Sequence, residues 1–131
     1  MKRLLLIVLP LLLIVGCSKE PINYEETLNE RDGVFYTKDT NKPYTGQVFS
    51  IYKDGKKKEE GSIKDGKMIS RTKCEWNENG KKQSEGNYKD GKLDGLNTEW
   101  YEDGQKSSET IHKDNEMISG KKWNKDGSVK K

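Results

Sequence analysis

The sequence predicts an all-β protein, an elongated antiparallel sheet of stacked β-hairpins in repeats of about 24 residues, preceded by a lipoprotein-type signal peptide. Three observations predict it. Pairs of Asp or Asn with Gly recur at a regular spacing, apolar and polar residues alternate between these pairs, and the one long apolar run lies at the N-terminus. The segments between the turns are too short, and too rich in Gly and Asn, for helices.

Residues 1–16 have the order of a secretory signal peptide. Met1-Lys2-Arg3 is a short basic start, and Leu4 to Val15 is apolar except for Pro10. This run of about 12 residues is shorter than the roughly 20 that span the hydrocarbon core of a membrane. The alternative is a buried N-terminal strand or helix, but no comparable apolar segment exists downstream to pack against it. The pattern therefore favours a signal peptide.

The segment Ile14-Val15-Gly16-Cys17 resembles the lipobox of bacterial lipoproteins. The resemblance implies cleavage between Gly16 and Cys17, a diacylglyceryl group on the Cys17 thiol, and acylation of the new N-terminus. One acyl chain binds a membrane only marginally, whereas two or more make a lasting anchor. We therefore expect a lipid anchor in the cell envelope. Because Ser18 rather than Asp follows the cysteine, we expect the outer membrane if the bacterium has one, and otherwise the outer face of the cell membrane.

Charge gives no indication of a nucleic-acid partner. Removal of Lys2 and Arg3 with the signal peptide leaves 23 basic and 22 acidic residues, so the net charge falls from +3 to +1. Charges of both signs are interspersed along the chain, and no basic patch forms. Hydrophobic residues make up only 30% of the sequence, and many of them lie in the signal peptide. The exported part therefore has little material for a large core.

Repeats organise the chain from Val34 to Lys131. Two series of turn dipeptides alternate along it, and the first recurs at intervals of 25, 24 and 23 residues. The first series is Asp54-Gly55, Asn79-Gly80, Asp103-Gly104 and Asp126-Gly127, and the second is Asp65-Gly66, Asp90-Gly91 and Asp114-Asn115. Gly and Asn supply the positive φ angles that tight hairpin turns require. We expect a β-hairpin repeat domain over residues 34–131, and a lipidated N-terminus and flexible tether over residues 17–33.

Alignment on the turn glycines places apolar residues in columns. Before the first-series turns stand Ile51, Trp76, Trp100 and Trp123, with Phe49, Cys74, Thr98 and Lys121 two residues earlier. Beside the second-series turns stand Ile63, Tyr88 and His112, followed by Met68, Leu93 and Met117. The residues between them are mostly polar. We therefore expect one apolar face on a half-buried sheet.

The segment from Glu85 to Gly104 resembles a variant of the MORN repeat, as do Tyr44-Thr45-Gly46 and residues 52–56 and 60–67. This variant is common in bacterial proteins catalogued as YwqK-type antitoxins. The resemblance covers roughly Val34 to Lys131, nearly all of the chain after the signal peptide, and implies stacked hairpins in one sheet, together with an antitoxin or immunity-like role. Ser70-Arg71 and Ser119-Gly120 depart from the pattern, because they replace the Asp-Gly found at residues 94–95.

The aromatic column is the candidate binding face, and we define it as Trp76, Trp100 and Trp123 with Tyr52 and Tyr101 beside them. If the face is exposed, the rings can grip a glycan or a partner protein. If the sheet curls, the rings are its core instead. The sequence leaves both open. No Ser-His-Asp set, phosphate loop or dinucleotide fingerprint is present, so we expect a non-enzymatic, membrane-tethered module, without cofactor, that binds an envelope protein or glycan.

The other reactive residue types have structural explanations. Cys74 is the only thiol left after Cys17 is lipidated, so we expect a small sheet-facing residue, the alternative being a reactive or intermolecular thiol. His112 is the sole histidine, and a zinc site takes three or four ligands. Most turn aspartates stand next to a lysine, as in Lys64-Asp65-Gly66-Lys67, whereas calcium gathers several oxygens from one loop. The sequence therefore predicts no metal site.

Overall fold

The structure, a computed structural model, describes residues 19–131. The signal peptide 1–16 and the expected cleavage and lipidation site at Gly16 and Cys17 lie outside this range. Short strands joined by tight turns make up most of the described chain. The elements are β1 (Ile22–Asn23), α1 (Tyr24–Thr27), β2 (Leu28–Arg31), β3 (Val34–Thr37), β4 (Gly46–Ile51), β5 (Lys57–Lys64), β6 (Lys67–Trp76), β7 (Lys82–Lys89), β8 (Lys92–Trp100), β9 (Lys106–Lys113) and β10 (Glu116–Lys122).

One long sheet carries the repeats. Its strand order is β1-β4-β5-β6-β7-β8-β9-β10, so strands from β4 onward lie beside their neighbours in sequence. All pairs from β4 to β10 are antiparallel, whereas β1 pairs with β4 in parallel. β2 and β3 form a separate hairpin. The predicted all-β class, with an elongated sheet of successive hairpins, is confirmed.

The two series of turns differ in geometry. In the second series both central residues have positive φ, as at Asp65 (49°) and Gly66 (83°), which is the two-residue hairpin turn that the sequence predicts. In the first series only the glycine does, as at Gly55 (86°). There the Tyr52 N–H donates to the Lys56 carbonyl (2.8 Å), so the loop is longer than a two-residue turn. The Asp54 side chain closes it by accepting the Lys56 N–H (3.0 Å).

Bulges interrupt the alternation of side chains. Ile63 of β5 pairs with Met68 of β6, but its neighbour Ser62 pairs with Ser70, which leaves Ile69 as an extra residue. The same irregularity occurs between β9 and β10. Because side chains alternate with a period of two, one inserted residue moves every later side chain to the opposite face.

The expectation of a single apolar face is therefore wrong. Met68 lies on the same face as Ile63, whereas Cys74 and Trp76 of the same strand lie on the other. We call the face with Ile63 and Met68 the cap face, and the face with Cys74 and Trp76 the groove face. The two sets of columns aligned in the sequence are divided between them, because residue counting does not reveal bulges.

Residues 22–37, which we call the N-terminal cap, are ordered against the cap face. β1 extends the sheet beside β4, and β2 and β3 turn at Asp32-Gly33, where φ is 52° and 75°. Leu28 and Phe35 of the cap pack on Val48 and Ile63 of the sheet. The prediction of a flexible tether over residues 17–33 is thus wrong from Ile22 onward, because this stretch has its own turn dipeptide and its own apolar side chains.

The packed core of the described chain lies between the cap and the first hairpin. Leu28, Phe35, Val48 and Ile63 are buried there, with Ile63 only 1% exposed. Toward the C-terminus the sheet is a single layer, and every residue of β10 is exposed. Since burial of apolar surface is the dominant stabilising term in folding, stability is concentrated at the capped end.

Polar contacts also hold the cap. The Tyr24 hydroxyl donates to Glu59 Oε2 (2.6 Å), the Lys58 ammonium pairs with Glu25 (2.8 Å), and the Phe35 N–H donates to the Gly66 carbonyl (2.8 Å). Glu59 itself is only 8% exposed. The cap is therefore joined to the sheet by a half-buried hydrogen bond as well as by the core.

The phenol of Tyr24 gives this contact a pH dependence. Burial, and then the hydrogen bond to Glu59, raise the pKa of Tyr24 from 10.0 to about 12. A raised pKa means that the stability contributed by the neutral phenol is complete below pH 10 and is lost as the pH rises toward 12. We expect Tyr24→Phe to cost about 1–2 kcal/mol near neutral pH and to lack this alkaline loss. Urea unfolding of both proteins from neutral to alkaline pH tests it, and parallel pH profiles would contradict it.

Candidate functional site

A groove of 1230 Å³ crosses the groove face over the first repeats. β4 to β8 line it, and Pro21, just before the cap, lies at its margin. Its lining includes Gln47, Phe49, Ile51, Lys57, Glu60, Ser62, Thr72, Asn87 and Asp94. The groove is therefore a mixed surface, with the apolar side chains of Phe49 and Ile51 on β4 and mainly polar side chains across β5 to β8, and it is larger than the two other cavities described below.

Hydrogen bonds fix the polar side chains of the groove. The Ser62 hydroxyl donates to Gln47 Oε1 (3.0 Å), and the Thr72 hydroxyl donates to Asn87 Oδ1 (2.7 Å). The Asn87 amide in turn donates to the Leu96 carbonyl (2.6 Å). Side chains held in this way lose little further freedom when a ligand binds, which favours affinity.

Ion pairs recur along the groove face. Lys57 pairs with Glu60 (2.8 Å), and the same three-residue spacing returns as Lys82–Glu85 (2.6 Å) and Lys106–Glu109 (2.8 Å). A bulge at the start of each of these strands brings the lysine and the glutamate onto one face. The hydrogen bond that the Lys57 ammonium donates to Glu60 raises the pKa of Lys57. Because the charges are paired, the groove face presents alternating charges rather than one strong field.

The tryptophans of the aromatic column are neither fully exposed nor fully buried, so they fit neither of the two arrangements that the sequence leaves open. All three lie on the groove face, and Trp76, Trp100 and Trp123 are each half-buried. Lys82 Nζ lies 5.5 Å from the centre of the Trp76 ring and 5.8 Å from that of Trp100, and Lys121 lies 5.6 Å from Trp123. The rings and the lysines thus form a ladder, in which cation–π contacts occupy part of each ring surface.

The two tyrosines of the column each reach across one strand, from the end of β4 to β6 and from the end of β8 to the end of β10. The Tyr52 hydroxyl donates to the Cys74 carbonyl (3.0 Å), and the Tyr101 hydroxyl donates to the Trp123 carbonyl (2.6 Å). Both bonds span 22 residues, although Cys74 and Trp123 stand in different columns of the sequence alignment. Their hydroxyl groups are therefore engaged with backbone, and only the rings are free to contact a ligand.

Cys74 and His112 lie on opposite faces. Cys74 is a free thiol with 3% exposure, and burial raises its pKa, so it stays in the unreactive thiol form. His112 Nδ1 lies 3.0 Å from Asn97 Nδ2 and 3.5 Å from the Thr110 hydroxyl on the cap face. The fold therefore keeps the two residues apart.

Within residues 19–131, no three His, Cys, Asp or Glu side chains lie close enough together to hold a metal ion. The same part of the chain contains no helix with the length and apolar character to cross a membrane. Comparisons with protein-family models, with curated proteins and with solved structures gave no match to this chain.

The polar row beside the aromatic column was missed by sequence reasoning. Ser62, Thr72 and Asn87 come together in the groove although they lie on three different strands. The only sequence signal is that small or amide side chains stand at these three positions. Their significance depends on the strand register, which the bulges set.

Proposed function

We propose that the chain is a membrane-anchored lipoprotein whose sheet is a non-enzymatic binding module, and that the groove receives a protein or other component of the cell envelope. The observation that carries the proposal is the groove itself, a concave surface of 1230 Å³ built from five successive strands. Extended repeat sheets suit recognition because neighbouring units present similar surfaces side by side. Polar groups that are already held by hydrogen bonds lie beside the apolar Phe49 and Ile51, which fits a ligand with both polar and apolar parts.

Lipidation at Cys17 would present this groove close to the membrane. The cap begins at Ile22, and Pro21 lies at the margin of the groove. Four Cα–Cα steps separate Cys17 from Pro21, and an extended chain spans at most about 14 Å over that length. The ordered cap thus shortens the tether, and the module is expected to meet partners that are held at the same membrane.

The position of the groove favours a ligand that binds beside the aromatic column over a glycan that stacks on the rings of the column. Stacking needs open ring faces, whereas lysines lie against all three tryptophans. Trp123 retains the strongest case for a glycan, since it borders a separate depression of 350 Å³ with Ile111 and Gly120. An antitoxin or immunity-like role rests on the repeat resemblance and would use the same groove.

Cross-linking and capture from envelope extracts test the proposal. The chain with Ser62→Trp, which fills the groove, is expected to lose a partner that the unchanged chain captures. Ser119→Trp is the matched control for the groove, because Ser119 lies on the same face outside it, in the separate depression beside Trp123. Cys17→Ala is expected to release the chain from the membrane fraction.

The outcomes separate the alternatives. Equal capture by the Ser62→Trp and Ser119→Trp chains would contradict binding in the groove. Recovery of a toxin, together with toxicity when the gene is deleted, would select the immunity-like role. Recovery of glycan alone would replace the protein partner with a glycan.

A further inference from the structure

A second, smaller cavity of 160 Å³ adjoins one end of the groove, near the turns that join β5 to β6 and β7 to β8. Arg71, Lys73, Tyr88 and Asp90 border it. The Lys73 ammonium lies 5.3 Å from the centre of the Tyr88 ring. Two cationic groups and a phenol therefore meet around a space that can hold a small ion.

The two cations are only loosely paired. Arg71 Nη1 lies 3.6 Å, and Lys73 Nζ 3.9 Å, from the same oxygen of Glu59, and the other oxygen of Glu59 accepts the Tyr24 hydroxyl. The lysines of the repeat ion pairs approach their glutamates much more closely, to 2.6–2.8 Å. Over the described residues, neither cation makes a side-chain hydrogen bond, so their donors stay available.

Two charges of this cluster, those of Arg71 and Glu59, are departures from the repeat. Arg71 belongs to the Ser70-Arg71 pair that stands where another unit has Asp94-Gly95. At the place of Glu59, two residues after the first lysine of its strand, the later units have Ser84 and Ser108. The repeat architecture does not require these charges, so they call for a separate explanation.

We propose that this cavity binds a phosphate group, either free phosphate or the phosphate of an anionic phospholipid headgroup. A guanidinium fork and an ammonium group together match the oxygens of a phosphate, and arginine can bind two of them at once. Glu59 and Asp90 balance the two cations, so the affinity comes from hydrogen-bond geometry more than from net charge. The cavity shares Arg71, Tyr88 and Asp90 with the lining of the groove but contains none of its polar row, so phosphate binding there can be measured whether or not the groove receives an envelope component.

Titration calorimetry with inorganic phosphate, on the full chain in a neutral detergent, tests the proposal. Replacing both cations, Arg71→Gln with Lys73→Gln, is expected to weaken phosphate binding by about tenfold or more. Lys121→Gln with Lys122→Gln removes the same charge from β10 and is expected to leave it unchanged. Glu59→Gln removes the competing carboxylate and is expected to tighten it about threefold or more.

A tighter complex after Glu59→Gln is a result that mere loss of structure does not produce. Phosphate binding that is absent, or that survives the Arg71→Gln, Lys73→Gln pair unchanged, would overturn the proposal. The source of the phosphate is decided with the chain reconstituted in phosphatidylcholine vesicles, with and without phosphatidylglycerol. Weaker apparent phosphate binding in the anionic vesicles identifies the headgroup as the ligand, and equal binding identifies free phosphate.

Discussion

Replacement of Ile63 by alanine is expected to lower the free energy of unfolding by about 3–4 kcal/mol. Ile63 is 1% exposed, and it packs with Leu28, Phe35 and Val48 where the cap meets the sheet. Truncation removes buried apolar contacts and leaves a cavity in the small core between the cap and the sheet. Because small domains unfold with only about 5–15 kcal/mol, this one change removes a large part of the stability.

Ile118→Ala is the matched control. Ile118 is 65% exposed on β10, so the same truncation there is expected to change the stability by no more than about 0.5 kcal/mol. Urea unfolding followed by circular dichroism compares the two chains. Similar losses at both positions would mean that the repeats share the stability evenly, and that the capped end does not dominate.

Much of the fold could be predicted because short dipeptides in the sequence mark its turns. Asp90-Gly91 and Asp114-Asn115 mark two-residue turns in the sequence and adopt positive φ at both residues. Spacing between such turns limits each strand to a few residues, which excludes long helices. Local chemistry of this kind does not depend on the rest of the chain, so it can be recognised before the structure is known.

The cap could not be predicted from the sequence in the same way. Asp32-Gly33 has the turn chemistry of the repeats, but residues 17–33 lack the alternation that marks a strand, and the sequence therefore predicts a tether there. β2 and β3 are only four residues each, and β1 is only two, so alternation had no length over which to appear. Their order comes from packing on Val48 and Ile63, which is a tertiary effect.

The candidate site was predicted only in part, for a different reason. The tryptophans share one column of the sequence alignment and one face of the sheet, because each lies at a fixed distance from a nearby turn. The groove depends on side chains from strands as far apart as β4 and β8. Bulges alter the register between those strands. A bulge such as that at Ile69 cannot be recognised from the alternation of residues in the sequence.

Two glycines with the same backbone give the sharpest test of the cap. Gly66 and Gly91 both follow an aspartate in a two-residue turn, with φ of 83° and 79°. Alanine at either position must adopt a left-handed conformation, which costs about 1–2 kcal/mol. At Gly91 a new Cβ meets no atom within 4 Å, whereas at Gly66 it collides with Val34 Cγ1 of the cap and approaches the Phe35 carbonyl oxygen (3.2 Å).

We therefore expect Gly91→Ala to lower the free energy of unfolding by about 1–2 kcal/mol. Gly66→Ala is expected to lower it by about 1–3 kcal/mol more than Gly91→Ala does, because the cap must move to make room. Urea unfolding gives the two free energies, and hydrogen exchange of the Phe35 amide, which donates to the Gly66 carbonyl, reports the cap directly. Exchange of that amide is expected to accelerate in Gly66→Ala and not in Gly91→Ala. Equal losses, with no change in exchange, would mean that the cap contributes little at this contact. Since the backbone strain is common to both variants, the difference between them measures how tightly the cap is packed on the sheet.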